Sequence, residues 1–405
     1  MTLPDRFEFF CPAKTASGFK ALEHLPGDLE ALNARRPLII TDPSSTREGR
    51  VQQIAKAFRT SGLTLGVYDG IGPDAGMDTV KDLFDLYLDR GFDAILALGS
   101  GPTVDLAKVV NIAVSGQPED LNRCQGVDRI DHPLNPLVFI PAGSGTGTEC
   151  AGEASLGDRT YCSAHLIPDL VTIDPRMIGD PAPMRIVSGA MAALTHAAEA
   201  YVCPRPHPFA ESYAQLAIGF VMAHLLDVVR AVMAPKGKMA RLADGFSLKK
   251  DRLALVNAAC MAGYVYANTP RGLAARLGQA AGRGGEVDPA LAMGILLPCA
   301  LEYHAHRQGR DLSRILRPMV GLERYCATPA GQRFAAAMGS LRHLGNELFV
   351  LTETAVPRTL EDAGLTRNAL EAVAQSVAAQ DPDEDLARAC RTILEHAFDG
   401  RPLTA

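Results

Sequence analysis

Gly99-Ser100-Gly101-Pro102 stands directly after an almost wholly apolar run, Phe92 to Leu98, and opens a helical stretch that carries Asp105 and Lys108. Glycines let a chain turn sharply and bring backbone N–H groups close to a ligand, and a helix start adds the positive end of its dipole. The chemistry such a junction offers is the binding of a pyrophosphate. The pattern is not G-x-G-x-x-G, and a plain tight turn would use the same residues. A second loop, Pro141-Ala142-Gly143-Ser144-Gly145-Thr146-Gly147-Thr148-Glu149, follows the apolar run Leu137 to Ile140. Its glycines, Thr146 and Thr148 suit a phosphate or ribose at a strand's carboxyl end, or simple packing against a neighbouring domain. Asp42 closes a third run, Pro37 to Thr41, where it is placed either to accept from a ribose diol or to cap the next helix.

The elements that would position these loops alternate. Strands are expected over 37–42, 63–68, 92–98, 137–140 and 170–173, with helices over 46–61 and 77–89 between them. The near-continuous apolar strands suit a parallel sheet covered on both faces, reached by right-handed crossovers. From about Pro183 the grammar changes. Helical spacing runs through 186–202, 208–232, 249–267, 289–306, 313–319, 328–344 and 368–379, and strand-like alternation is hard to find. The expected organisation is an α/β dinucleotide-binding domain, 1–182, followed by an all-helical domain, 183–405. A chain of 405 residues is long enough for two cores.

Composition narrows the function classes. Hydrophobic residues make up 47% and charged residues 21%, the balance of a globular protein. Net charge is −6 and the 40 Lys and Arg are scattered, which argues against nucleic acid or an anionic membrane surface as partner. No signal peptide is visible, and no apolar stretch approaches the ~20 residues a membrane span needs, so a cytoplasmic location is expected. The nine cysteines stand singly, with no C-x-x-C pair, which removes the basis for a disulfide framework or a metal finger.

Taken in order, these segments resemble the iron-containing, or group III, alcohol dehydrogenase family, whose superfamily includes dehydroquinate synthase. Gly99 to Lys108 is similar to its GGGSxxDxAK loop, Pro141 to Glu149 to PTTxGTGSE, and Asp174-Pro175 to the DP before its helical domain. Leu194-Thr195-His196-Ala197-Ala198-Glu199-Ala200-Tyr201 is similar to ALTHAxEAY, Gly294 to Pro298 to AILLP, and Pro357 to Gly364 to PxxLxxxGV. The resemblance implies the same two-domain fold and hydride transfer between NAD(P) and an alcohol or aldehyde in the cleft between domains. It implies that Asp42, Gly99, Ser100, Gly101, Asp105, Lys108, Thr146 and Thr148 line the nucleotide. A carboxylate at Asp42 would repel a 2′-phosphate, so NAD is expected over NADP, which stays possible. Family habit implies a homodimer formed through the N-terminal strand region.

The resemblance also implies Fe²⁺ or Zn²⁺ held by one Asp and three His, and here the sequence departs from it. The Asp place holds Ala192, while His196 is kept; the paired His places hold Arg271 and Ala275, and the last falls near Pro289. No register shift restores a ligand, because no histidine stands between His224 and His304. A lone His cannot hold a divalent metal. Glu286 and Asp288 are the carboxylates that could rebuild a site, and Gly282 to Gly285 reads as a loop replacing the lost ligand segment.

A carbonyl without a Lewis acid needs side chains to polarise and protonate its oxygen. His196, Arg271 and Arg276 are the candidates, and a fixed cation also suits an anionic substrate. Maleylacetate reductases resemble this family and lack the ligand Asp. The expected function is a metal-independent NAD(P)-dependent reductase of a small anionic aldehyde or ketone. A non-redox enzyme (addition, elimination or isomerisation) on the same fold and a non-catalytic homologue stay open. So do a packed-core role for His196 and solvation, or pairing to Glu286, for Arg271.

Overall fold

In the computed structural model, which describes residues 5–72, 74–116, 121–179, 182–203, 207–234, 245–283, 285, 287–379 and 384–404, the chain divides into two units. They are Phe10–Asp180, and Met1–Phe9 together with Pro181–Ala405.

The first unit holds, in chain order, β1 (Lys14–Ser17), β2 (Pro37–Thr41), β3 (Gly66–Tyr68), β4 (Ala94–Gly99), β5 (Gly126–Val127), β6 (Leu137–Pro141), β7 (Glu153–Leu156), β8 (Arg159–Cys162) and β9 (Leu170–Ile173). Its helices are α1 (Leu25–Ala31), α2 (Pro43–Arg47), α3 (Arg50–Ala57), α4 (Met77–Arg90) and α5 (Pro102–Ser115). Six strands pair in parallel in the order β1-β9-β6-β4-β2-β3. Every residue of β2, β4, β6 and β9 is buried, which is why their sequences are apolar throughout instead of alternating.

Strand order decides where a ligand goes. From β2 the chain steps outward to β3, then returns to β4 on the other side, so the order reverses between β2 and β4. Ligands of open α/β sheets bind outside the carboxyl ends of strands at such a reversal. Thr41 stands opposite Leu98, and Gly99 opposite Pro141. Asp42 and both glycine loops therefore leave neighbouring strands at the same edge.

Three local features differ from the sequence expectation. The helix over 46–61 is two short helices broken at Gly49, whose φ of 79° ends the first. β1 is short, polar and largely exposed, so it gives no apolar signal, yet it pairs with β9. A small second sheet contains the hairpin β7–β8, turned at Gly157 with a φ of 63°.

The second unit is helical: α6 (Pro183–Glu199), α7 (Pro208–Met233), α8 (Gly245–Asn268), α9 (Leu273–Gly282), α10 (Pro289–Arg307), α11 (Leu316–Ala327), α12 (Arg333–Leu351), α13 (Ala369–Ala378) and α14 (Glu384–Asp399). One apolar cluster runs from Ile186 on α6 to Phe398 on α14. Phe9, placed with the α/β domain by the expected boundary, belongs to this unit: its ring stacks on Tyr213 at 5.7 Å, while Phe7 meets His207 at 5.1 Å. A further correction concerns α7. It is long and apolar enough to cross a membrane by length and composition, contrary to the reading that no stretch approaches this. Ala210, Ala214, Ile218, Val221, Leu225 and Val229 on that helix are buried in the helical core.

Candidate active site

The two glycine loops are tied to each other by a carboxylate. Glu149, buried, accepts from the backbone N–H of Gly101 at 3.1 Å, of Thr146 at 3.1 Å and of Gly147 at 2.9 Å. The Thr146 hydroxyl donates to the same carboxylate at 3.2 Å and lies 2.9 Å from the Thr148 hydroxyl. This corrects how Gly101 was expected to act, since its N–H is spent within the protein. Its φ of 46° still requires glycine, and a Cβ added at Gly101 or Gly143 would meet nothing within 4 Å. That open, side-chain-free surface beside the half-buried Thr146 and Thr148 fits a nucleotide lying on the backbone. Ser100 is exposed between the glycines.

Lys108 does not reach that surface. It is fully buried, and its ammonium donates to the carbonyls of Ala151 at 2.7 Å, Glu153 at 3.0 Å and Thr148 at 3.4 Å. An ammonium has three hydrogens, so none is left for a phosphate. The structure makes Lys108 the pin beneath the second loop, in place of the nucleotide contact the resemblance implies. One turn away, burial pushes the Asp105 carboxyl up to about 7 against the attraction of Lys108, and lowers the Lys108 amine in turn. Lys108→Met should strip the ammonium from these carbonyls, of which that of Thr148 keeps the Ala151 N–H at 2.9 Å, and cost about 2 kcal/mol of stability, read as a lower urea midpoint with unchanged slope.

Asp42 is a helix cap. It accepts from the N–H of Ser44 at 2.8 Å and of Ser45 at 3.3 Å, and from both serine hydroxyls. Burial works against its charge, but these bonds outweigh burial and hold its pKa below the ordinary carboxylate value. Only Oδ2, with one contact at 3.3 Å, keeps capacity for a ribose hydroxyl.

In the helical unit, His196 and Arg271 meet on one aromatic ring. The His196 ring packs edge-on against Tyr266 at 4.7 Å, and the Arg271 guanidinium stands 5.2 Å from the same ring's centre. Arg271 is exposed and also donates to Gln279 at 3.4 Å; Glu286 lies outside the described residues. His196 is 3% exposed, and its Nδ1 is buried with no protein partner. Burial, helped by the nearby Arg271 charge, lowers its pKa to about 4. His196 is therefore neutral at pH 7 and cannot donate a proton as imidazolium, which corrects half of its expected role. Arg276 does not join the group. Its guanidinium donates to the Val377 carbonyl at 3.1 Å, at the C-terminal turn of α13. Arg276 is the fourth residue of α9, whereas Arg271 precedes the N-cap Gly272 and lies outside the helix.

Glu199 holds Arg271's segment in place. Its buried carboxylate accepts from the N–H groups of Gly272, Ala274 and Ala275 at 3.1, 2.7 and 3.3 Å, capping α9 from α6. A Cβ on Gly272 would come within 2.2 Å of that carboxyl carbon, so only glycine fits. Burial raises the Glu199 pKa to about 7, while those three N–H groups and Arg276 oppose it. An acid whose pKa rises on folding takes up a proton there, so stability falls as pH climbs from about 4.5 to about 7. Glu199→Gln should remove about 2 kcal/mol of that fall between pH 5 and 7.5, measured by urea denaturation at both values.

The pattern described as "Iron-containing alcohol dehydrogenase" matches residues 12–175, and "Fe-containing alcohol dehydrogenase family, C-terminal" matches residues 186–386. The chain belongs to the iron-containing alcohol dehydrogenase family. Long-chain-alcohol dehydrogenase 1 of Geobacillus thermodenitrificans (strain NG80-2) is 26% identical over 403 residues, covering 96% of each chain. The maleylacetate reductase of Agrobacterium tumefaciens superposes with a TM-score of 0.75 at 18% identity, over 99% of this chain and 100% of that one. The sulfoacetaldehyde reductase of Bifidobacterium kashiwanohense, solved with NAD+, gives 0.77 at 15% identity, over 98% and 99%. The two structures share the fold: a parallel-sheet α/β domain followed by a helical one.

Membership in the iron-containing alcohol dehydrogenase family raises the question of the metal. Ala192 and Ala275, at two of the ligand places, pack together with Ala290 and Met293 in one buried apolar cluster. Asp288 caps α10 through Ala290 and Leu291 and accepts from Ser188, which occupies it otherwise. Among the described residues no three His, Cys, Asp or Glu side chains gather as a ligand set. Among the described residues the donors at these places do not fit a divalent metal, since methyl groups and a thioether with one imidazole offer too few ligands.

Three residues were not singled out from sequence: Glu149, Glu199 and Tyr266. The first two carry a signal, being lone carboxylates inside stretches of small residues. Tyr266 carries none.

Proposed function

We propose that this family member is an NAD(H)-dependent reductase of a small anionic aldehyde or ketone that works without a resident metal. The observation carrying this reading is the methyl cluster at Ala192 and Ala275, with Ala192 one helical turn before the His196 that meets Tyr266 and Arg271. The nicotinamide, when bound, supplies the hydride. On the protein side, Gly99, Ser100, Gly101, Thr146 and Thr148 offer the nucleotide a surface, with the Oδ2 of Asp42 as ribose acceptor. Lys108, Asp105 and Glu149 hold that surface in shape.

As the carbonyl carbon gains a hydride, its oxygen becomes an alkoxide. Arg271 stabilises that charge and can hold a second anionic group of the substrate. The Tyr266 hydroxyl gives the oxygen its proton and is reprotonated from water. His196, neutral and unpartnered at Nδ1, orients the Tyr266 ring and offers the substrate a hydrogen bond. Maleylacetate and sulfoacetaldehyde, named for two proteins of the same fold, are both anions, which supports the substrate class. A homodimer through the N-terminal strand region and a cytoplasmic location complete the reading.

Tyr266→Phe should lower kcat about 100-fold with little change in KM. The whole reading is tested by titrating NADH fluorescence and comparing sulfoacetaldehyde with butanal as substrates. Saturable NADH binding and a kcat/KM at least about tenfold higher for the anion are expected. Failure of both NADH and NAD+ to bind, or preference for butanal, would overturn it.

A further inference from the structure

The helical unit contains a cavity of about 340 Å³ that the reaction does not use, within the size range of small-molecule sites. Its floor is apolar: Met191, Leu291, Ile295, Leu348 and Val356. Arg342, Arg358, Arg401 and Asn346 also line it. Arg342 is fixed by a bidentate pair with the buried Glu302, at 2.7 and 2.8 Å. Such a pair uses two of its five N–H groups, and the Cys299 thiol, which also lines the cavity, engages the same guanidinium. Arg358 lies flat on Phe349, 3.8 Å from the ring centre; the nearby Asp362 takes its backbone N–H, and no carboxylate among the described residues pairs with its guanidinium. Asp399 is shared between Arg367 and Arg401. Four guanidinium groups (342, 358, 367 and 401) thus stand against three carboxylates (302, 362 and 399), an excess of one positive charge that a single carboxylate would balance. Burial, with Glu302 nearby, pushes the Cys299 thiol up to about 12, so this lining residue adds no negative charge.

The backbone leaves room as well. Gly345, in the interior of α12, lines the cavity, and a Cβ added there would meet nothing within 4 Å. Glycine inside a helix is unfavourable by itself, and here it keeps space open.

We propose that this cavity binds a medium-chain carboxylate, with the hydrocarbon stem on the apolar floor and the headgroup among the arginines. Planar guanidinium forks match a carboxylate, and the floor gives a stem the burial that a bare inorganic anion could not use. The site is separate from the His196 group and does not depend on the proposed reaction.

Titration calorimetry of the full chain with octanoate, octanol and inorganic phosphate tests it. One octanoate per chain is expected, at least tenfold tighter than either octanol or phosphate. Arg358→Gln and Arg401→Gln should each weaken octanoate about tenfold. Gly345→Leu, which favours the helix, should abolish binding with an unchanged circular dichroism spectrum. Arg271→Ala should bind octanoate as wild type does. Octanol or phosphate binding as tightly as octanoate, undiminished binding to Gly345→Leu, or loss of binding in Arg271→Ala would each overturn the proposal.

Discussion

Arg271→Ala is expected to lower kcat for an anionic carbonyl substrate by about 10²–10³-fold while leaving NADH affinity unchanged. In the His196–Tyr266–Arg271 group the guanidinium is the one cation at pH 7, because His196, with a pKa of about 4, is neutral. Removing it takes away the charge that meets the alkoxide, an interaction strongest in the transition state, so kcat falls. If Arg271 also holds the substrate's anionic group, KM rises as well, and a neutral aldehyde shows only the kcat effect. Arg271→Lys should recover little, since a point charge does not reproduce the planar fork over Tyr266. Steady-state kinetics with one anionic and one neutral aldehyde separates the two roles. Wild-type kcat in the Ala variant would remove Arg271 from the chemistry.

Ala192→Asp should be the most destabilising of the changes considered, by about 3–5 kcal/mol. It restores the side chain that the resemblance implies there, but Ala275, Ala290 and Met293 pack with that position in one apolar cluster. The carboxyl would either be buried without a partner or take up a proton, and it would overpack a filled site. Added Zn²⁺ or Fe²⁺ should not restore stability, since one carboxylate and one imidazole do not complete a ligand set. Thermal denaturation with and without metal reads this out. Wild-type stability, or recovery on adding metal, would show that a usable metal pocket persists.

The parts of this protein legible in its sequence are those where local pattern and tertiary role coincide. β2, β4, β6 and β9 are buried on both faces and therefore read as apolar runs; the glycine loops follow them directly. β1 escaped because an exposed edge strand of Lys14-Thr15-Ala16-Ser17 has no apolar face to display. α9 and α14 were missed: the first is short, and the second is strongly charged. The helix expected over 46–61 broke at Gly49, a local cue outweighed by apolar spacing on both sides.

Site residues divided along the same line. Ala192 and Ala275 could be placed by motif register alone, and the structure puts both in one buried apolar cluster. The roles of Lys108, Glu149 and Glu199 depend on backbone groups up to 76 residues away, such as the Ala275 N–H that meets Glu199, and no spacing rule reports those. Arg276 reads in sequence as the next candidate after Arg271, and the structure sends it to the Val377 carbonyl instead.

The central claim is that a dehydrogenase of this family polarises its carbonyl with side chains where its relatives are named for iron. The most direct measurement is NADH-dependent reduction of an anionic aldehyde by protein dialysed against a strong chelator, with iron and zinc determined by elemental analysis of the same sample. The account expects full activity at well under one metal ion per chain, unchanged when Fe²⁺ or Zn²⁺ is added back. Activity that disappears on dialysis and returns with one equivalent of either metal would contradict it.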